Sequence, residues 1–490
     1  MMKKIYSSVL LILAITSFSG CKKYLETAPD QRTKLNTPEK VGELLATAYA
    51  QADYVTFAEA ASDNSEDKGV NVGDIAVENQ DAYLWRDVNG RDTGTPTNFW
   101  NASYTAIAAA NAALEAINSM PDQTAYLAYK GEALVARAYA HFMLVTFFAK
   151  AYDPTTSNDS PGIPYVTVPE KIVFGQYTRG TVASTYAAIE KDLLEGMPLL
   201  KDNAYKVPKY HFNQAAANAF AARFYLFKRD YAKVVTYATA VGPSGSFATI
   251  IRPWNTRYYA ASANEFRIAF TQAAEPSNLL ITEAASSWAR NQAFYRYGMG
   301  LTLNAASYQP NVTGTSFTSQ KVLNYGVPNY TFYKYLELFI RTSPNATIGF
   351  PYTMMIQFTT DEVLLNRAEA YANLGQNTLA LADLNTFVST RVQSYNSTTN
   401  GVTLAKVASF YNTNDPKEGL VKTVLDFKKQ EFAQEGLRWL DIVRLGLTVR
   451  HNIKAVDNSD TFVTLAPTDP RRLFQLPSEV KLSGIDQNPR

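Results

Sequence analysis

The sequence predicts a mostly α-helical protein in which tetratricopeptide-like helix hairpins stack into one body with a large loop-rich insertion. Three observations predict this fold. Apolar residues recur every three or four positions over most of the 490 residues. Two stretches, about 213–241 and 361–389, carry small and aromatic residues at the spacing of a tetratricopeptide hairpin. Helical periodicity fades between about 242 and 355. One hairpin cannot bury its apolar face alone, so several hairpins must stack.

The first 20 residues have the pattern of a secretory signal peptide. Lys3 and Lys4 precede a short apolar run, which ends at Ser19-Gly20 before Cys21. The run is too short to span a bilayer permanently. A cysteine in this position is similar to the bacterial lipobox, whose thiol receives a diacylglyceryl group. Cys21, the only cysteine, is therefore the predicted lipidation site, and 21–36 is a polar, lipidated tether. The alternative is an incidental free thiol.

The body, 37–490, follows the tether and divides into two helical-repeat parts, about 37–241 and 356–450. Thr37-Pro38 is a helix start, because threonine caps a helix and proline suits its first position. Between Ala60 and Pro96 the residues are those of loops. Apolar spacing predicts the helices in these approximate ranges: 41–48, 99–118, 123–149, 182–199, 213–241, 361–392 and 421–447.

Composition excludes several classes of function. With 46 basic and 44 acidic residues the net charge is +2, and no clustered basic excess indicates nucleic-acid binding. The three histidines lie far apart and no thiol remains after lipidation, so we predict no metal and no cofactor. The 31 tyrosines suit surfaces that hold ligands, because tyrosine combines a flat apolar face with a polar tip. Many tyrosines also pack inside large helical proteins.

Four motifs follow one another along most of the chain. In chain order they are Cys21-Lys-Lys-Tyr-Leu25; Trp100, Tyr104, Ile107 and Asn111; Arg137-Ala-Tyr139 with Gly162-Ile-Pro164; and Glu435-Gly-Leu-Arg438-Trp439-Leu-Asp441-Ile-Val-Arg444. In this order they resemble the motifs of the SusD/RagB family of Bacteroidetes nutrient-binding lipoproteins. Two departures stand out. Phe427-Lys428 replaces the family's frequent Glu-Arg pair, and Lys22-Lys23 replaces the acidic cluster that some relatives carry after the cysteine.

The resemblance implies a non-catalytic protein that is lipid-anchored in the outer membrane and faces the cell exterior. It implies binding of an oligo- or polysaccharide and delivery to a SusC-like TonB-dependent outer-membrane channel. The alternatives are capture of peptides within the same family, a lipid-anchored glycoside hydrolase, and a helical scaffold that binds only proteins. A sugar ring stacks its C–H face on an aromatic ring, and its hydroxyls need planar donors and acceptors, so a shallow surface with a few aromatic anchors suits the role.

The resemblance places ligand contacts in two variable regions that match no fixed motif. The predicted ligand-binding residues are Asp63, Trp85, Arg86 and Asn89 in the first region, and Tyr258, Tyr259, Trp288 and Tyr297 in the insertion. Buried packing is the alternative for each aromatic residue. Glu435, Arg438, Asp441 and Arg444 recur every three residues, which favours a structural ion network on the last helix. Trp100 and Trp439 are interpreted as packing residues.

Overall fold

The computed structural model describes residues 35–172, 175–318 and 322–490. The predicted signal peptide, Cys21 and all but the last two residues of the predicted tether lie outside these ranges. The described chain is mainly helical, with short strands, and it confirms the predicted fold class.

Helices α1 to α8 build the first helical part. Their bounds are α1 Pro38–Leu45, α2 Val55–Ala61, α3 Val77–Tyr83, α4 Pro96–Asn118, α5 Leu127–Phe148, α6 Val182–Gly196, α7 Gln214–Phe227 and α8 Tyr231–Val241. The Thr37 side chain accepts a hydrogen bond from the Lys40 amide and so caps α1, as predicted. Thr181 forms a capping box at the start of α6. Helix α3 lies inside the stretch from Ala60 to Pro96 that was predicted as loops, and α2 ends at the start of that stretch. The prediction missed α3, because contacts with other segments stabilise so short a helix.

The later helices are divided between the insertion and the second helical part. Their bounds are α9 Ala263–Phe270, α10 Trp288–Asn291, α11 Leu301–Ala306, α12 Thr360–Asn373, α13 Asn377–Ser389, α14 Ser397–Asn400, α15 Leu404–Tyr411, α16 Pro416–Glu431 and α17 Leu437–Leu445. Helices α12 and α13 form one of the two predicted hairpins, and α7 and α8 form the other. Gly375, with φ +71°, supplies the left-handed turn between α12 and α13.

The strands form small antiparallel sheets. Their bounds are β1 Glu66–Asp67, β2 Asn278–Ala285, β3 Tyr297–Gly298, β4 Val322–Asn324, β5 Tyr330–Phe332, β6 Glu337–Arg341, β7 Gly349–Thr359, β8 Val449–Lys454 and β9 Asp460–Leu465. One sheet has the order β2-β7-β6, and the other pairs are β1 with β3, β4 with β5, and β8 with β9. The stretch 242–355 is therefore less irregular than its weak periodicity predicted. Short strands leave little sequence signal, because packing decides their formation.

Stacked hairpins surround a continuous apolar core. Helix α5 is buried along most of its length and packs between α4 and α6, while α8 packs on α12 and α12 on α16. The sheet joins the stack because α7 lies against β2 and β7, and β7 runs directly into α12. Trp100 and Trp439 are buried, in agreement with their interpretation as packing residues.

Buried ion pairs connect the helices at the positions of the motifs. Asp192 on α6 receives two hydrogen bonds from Arg137 on α5, and Glu369 on α12 receives two from Arg444 on α17. Arg444 also contacts Asp441 on its own helix. Within the predicted network Glu435 pairs with Lys334 and Arg438 with Asp63, so these two charges tie the motif to other segments. Such pairs orient the helices specifically, since a buried charge is costly without its partner.

Candidate functional site

The fold brings the two variable regions of the sequence together. Strand β1 pairs with β3, and an isolated bridge joins Asp74 to Tyr295. The backbone of Gly73 lies so close to this segment that a Cβ atom there would be 2.3 Å from the carbonyl oxygen of Phe294. With φ +73°, this position also requires the left-handed conformation that glycine adopts without strain. Residues 66–74 and 293–298 therefore pack into one region, at whose surface Gly73, Asp74 and Phe294 are exposed.

Two of the predicted ligand residues lie in the interior. Tyr258 is 1% exposed and its hydroxyl donates to Glu275, while Trp288 is 3% exposed and its indole donates to the carbonyl of Gln434 at 3.1 Å. A ring must expose a face to stack on a sugar, so neither side chain can do so in this structure. We assign both to the core. Aromatic residues are abundant in this polar stretch, which suggested a surface role. The hydroxyl of Tyr258 and the indole N–H of Trp288 instead form hydrogen bonds with buried partners.

Asp63 is engaged in an internal ion pair. Its carboxylate accepts hydrogen bonds from Lys429 at 2.9 Å and from Arg438 at 2.8 and 3.1 Å. Burial alone would raise the pKa of Asp63, but the hydrogen bond and charge of Arg438 and the charge of Lys429 lower it well below its usual range. The carboxylate joins the first loop region to α16 and α17, which is a structural task.

Four predicted residues line one open groove of about 750 Å³, which we call the Trp85 groove. The lining residues that matter here are Trp85, Arg86, Asn89, Tyr297, Arg471 and Arg490. The structure thus brings together residues from both predicted regions, with the β8–β9 hairpin and the end of the chain completing the walls.

The two aromatic residues of the Trp85 groove are packed against other rings. Trp85 stacks on His451 with ring centroids 4.4 Å apart, and its indole donates to the carbonyl of Ala61 at 3.0 Å. Tyr297 stacks on Tyr83 at the same centroid distance. Both rings are buried and offer little apolar face to a ligand.

Polar side chains form the exposed part of the Trp85 groove. Arg86 and Asn89 are exposed, whereas Arg490 pairs with Asp87 at 2.6 Å. This groove can therefore offer hydrogen bonds more readily than stacking. The remaining predicted residue, Tyr259, is 58% exposed beside the buried Tyr258, and its ligand role stays a prediction.

Two exposed rings and one half-buried ring lie at the junction of the two variable regions. Phe294 and Tyr325 are 39% and 46% exposed, with centroids 5.2 Å apart and ring planes inclined by 59°. Burial raises the pKa of Tyr325, and the nearby Tyr333 raises it further. Tyr333 accepts a hydrogen bond from Arg267, whose guanidinium lies 4.6 Å from the ring centroid. We call Phe294, Tyr325 and Tyr333 the ring row.

Only partial signals for the ring row are present in the sequence. Tyr325 and Tyr333 belong to the tyrosine-rich stretch, but nothing separated them from buried neighbours such as Tyr330 and Tyr335. Phe294 carried no signal. Gly326 and Pro328 indicate a turn after β4, and this local feature favours an exposed position for Tyr325.

The described parts of the chain contain no group of three or more His, Cys, Asp and Glu residues arranged to hold a metal ion. In the same ranges, no helix combines the length and the apolar character needed to cross a membrane.

Comparison with protein families identifies the class of protein to which this fold and surface belong. A family profile described as "Starch-binding associating with outer membrane" matches residues 23–226, and one described as "SusD family" matches residues 248–471. Together the two matches span most of the chain. The chain belongs to the SusD/RagB family.

Individual relatives agree with this assignment. SusD-like protein P38 of Formosa agariphila is 24% identical over 497 residues, which cover 91% of this chain and 92% of that protein. The crystal structure of a SusD superfamily protein of Bacteroides thetaiotaomicron matches with a TM-score of 0.67 at 18% identity, covering 93% of this chain and 100% of that one. A laminarin-binding SusD-like protein matches with a TM-score of 0.59 at 17% identity, covering 93% and 99%. At these identities the two solved structures establish the shared fold.

Proposed function

We propose that this protein binds an oligo- or polysaccharide at the cell surface and delivers it to a SusC-like TonB-dependent outer-membrane channel, without cleaving it. The observation that carries the proposal is the exposed pair of rings, Phe294 and Tyr325, at the junction of the two variable regions. Exposed aromatic faces are suited to the apolar C–H faces of sugars, and a shallow surface suits a ligand that must be released again.

The polar surroundings of the ring row fit the same ligand class. Arg267 stands beside Tyr333, and Asp74 is exposed on the segment that pairs with residues 294–296. Guanidinium and carboxylate groups hydrogen-bond to sugar hydroxyls, while the rings contribute apolar contact. Arg86 and Asn89 of the Trp85 groove are further candidates for such hydrogen bonds.

Outer-membrane attachment through Cys21 is part of the proposal. The family profile over residues 23–226 is described as associated with the outer membrane. A cysteine that carries two or three acyl chains would anchor the protein stably, since each buried methylene contributes about 0.8 kcal/mol. Delivery to a channel is proposed from family membership.

A binding assay on the full chain tests the proposed function. The detergent-solubilised protein is run through native gels that contain laminarin, starch or no polysaccharide, and a peptide mixture is tested by depletion. Laminarin is a reasoned first probe, because one structural relative binds it. We expect slower migration in at least one polysaccharide gel and no new reducing ends after incubation. Depletion of peptides alone would instead support the peptide-capturing alternative, and release of reducing ends would support a hydrolase.

A further inference from the structure

We infer that Lys68 is a positioning residue for the ring row: its ammonium group ties together the two segments that carry Phe294 and Tyr325. The inference rests on the proposed function, because it assigns the residue that holds the proposed binding surface in shape.

One side-chain nitrogen makes both connections. The Nζ atom of Lys68 donates to the carbonyl oxygen of Ala293 at 2.9 Å and to Oδ1 of Asn329 at 2.7 Å. Ala293 directly precedes Phe294 in the chain. The carbonyl of Asn329 accepts the amide of Tyr325 at 3.0 Å, which closes the turn between β4 and β5. Lys68 therefore links the backbone beside one ring to the turn that presents the other.

The main chain around Lys68 fixes the first of these segments. The Lys68 amide donates to the carbonyl of Arg296 at 3.1 Å, and the Asp74 amide donates to the carbonyl of Phe294 at 2.6 Å. These backbone bonds, together with the ion pair between Arg296 and Asp67 at 2.7 Å, hold residues 294–296 against the first loop region. The turn is also held by the Tyr330 amide, which donates to the carbonyl of Met299 at 3.3 Å. The Lys68–Asn329 hydrogen bond joins the turn directly to the first loop region, at the residue whose carbonyl accepts the Tyr325 amide.

Burying the ammonium group of Lys68 costs free energy, so filling space in the interior does not explain why this residue is a lysine. The residue is 6% exposed, and within the described residues no carboxylate lies within 4 Å of its ammonium group. Burial lowers the pKa of Lys68 to about 8, against the opposing influence of Glu66 and Asp74. A methionine would fill similar space without this cost, but it could not donate two hydrogen bonds.

The test compares stability with polysaccharide affinity in Lys68→Met. Because the buried charge is removed, we expect the melting temperature to fall by no more than a few degrees, or to rise. We expect the affinity for the polysaccharide that the wild-type chain binds to fall about five- to tenfold. Amide hydrogen exchange at Tyr325 should become faster, while exchange in α12 should not change.

Two further variants separate positioning from a general loss of structure. Asn329→Ala should weaken binding as much as Lys68→Met, and the double variant should bind no more weakly than either single variant, since both remove the Lys68–Asn329 hydrogen bond. Asn329→Asp, which keeps an acceptor for the ammonium group, should retain binding. Lys209→Met is the matched control: Lys209 is half-buried and, like Lys68, donates to a backbone carbonyl, that of Glu275 at 2.6 Å. It should leave polysaccharide affinity unchanged.

The possible results separate a failure of this inference from a failure of the proposed function on which it rests. Wild-type affinity in Lys68→Met and Asn329→Ala would overturn the inference, while binding by the wild-type chain would leave the proposed function standing. If Lys68→Met does not fold, Asn329→Ala alone decides, because it removes the side-chain acceptor and keeps the backbone bonds of Asn329. Absence of polysaccharide binding in the wild-type chain would refute the proposed function and the inference with it.

Discussion

The insertion contains two groups of aromatic residues of similar composition, one buried in the interior and one at the surface. The inner group, Trp254, Tyr258, Phe266 and Phe270, forms a small core of its own together with Ile356. The ring row lies at the surface of the same insertion, where the first loop region meets it.

The difference between the two groups lies in what their polar tips contact. The Trp254 indole donates to Glu431 at 2.8 Å, and the Tyr258 hydroxyl contacts Glu275 and Arg252. These partners let the amphipathic rings enter the interior, because a buried polar group must be hydrogen-bonded. In the ring row, Phe294 has no polar tip and Tyr325 is half exposed. An aromatic residue in a tyrosine-rich stretch is therefore a binding candidate only when its partners leave a face open.

Trp254→Ala gives the largest expected effect and tests the structural role of the inner group. It should lower the free energy of unfolding by about 3–5 kcal/mol, because it opens a cavity and removes the hydrogen bond to Glu431. Urea unfolding measures this change. Tyr259→Ala is the matched control in the same segment, and its exposed side chain should contribute less than about 1 kcal/mol. Equal losses in the two variants would contradict the division into inner and outer rings.

The buried carboxyl group of Glu59 provides a test of the interior through the pH dependence of stability. It accepts the amides of Gln434 and Gly436, in the loop whose Gln434 carbonyl receives the Trp288 indole. Burial raises the pKa of Glu59 to about 7, against the opposing hydrogen bonds from these amides. The unfolded chain releases this proton near pH 4.5 and the folded chain only near pH 7.

The free energy of unfolding should therefore fall as pH rises from about 4.5 to 7, by at most about 3 kcal/mol from this group. Unfolding curves of the wild-type chain and Glu59→Gln across that range measure the contribution. The variant should show a flatter dependence. Parallel curves for the two proteins would mean that Glu59 is ionised in the folded state throughout.

Phe294→Ala and Tyr325→Ala should have the reverse pattern, with a small effect on stability and a larger one on binding. Each should weaken polysaccharide binding about tenfold, or about 1.4 kcal/mol, and change the free energy of unfolding by less than about 1 kcal/mol. Titration calorimetry and urea unfolding give the two quantities. Phe410→Ala on α15 is the matched control, because Phe410 is also an exposed ring beside another ring, with centroids 4.9 Å apart. Similar weakening by Phe410→Ala would remove the argument for the ring row.

Arg86→Ala and Asn89→Ala give the smallest expected effects. Both side chains are exposed in the Trp85 groove, so each should weaken binding only about two- to threefold, about 0.5 kcal/mol. The same titrations apply. A loss greater than that caused by Tyr325→Ala would move the main binding surface from the ring row to the Trp85 groove.

The sequence predicted the helical part of the fold well, because periodic apolar spacing and caps such as Thr37 act locally. It predicted the two variable regions but not which side chains in them are exposed. Trp85, Tyr258 and Trp288 are residue types expected on a binding surface. Each is nevertheless buried and donates a side-chain hydrogen bond to a residue elsewhere in the fold. Phe294 could not be found in advance, since its exposure depends on contacts with residues 68–74.

Local order along the chain was sufficient to indicate stacked helix hairpins, the family and the two segments where a ligand contact was expected. The tertiary structure decided which rings face solvent. It also decided that Asp63 pairs with Arg438 and that Lys68 joins the two ring-bearing segments. The physical reason is the distance along the chain over which each property is decided. Helix periodicity is set by neighbours three or four residues apart, whereas the exposure of a ring is set by partners that can lie more than 200 residues away, as Asp74 does from Phe294.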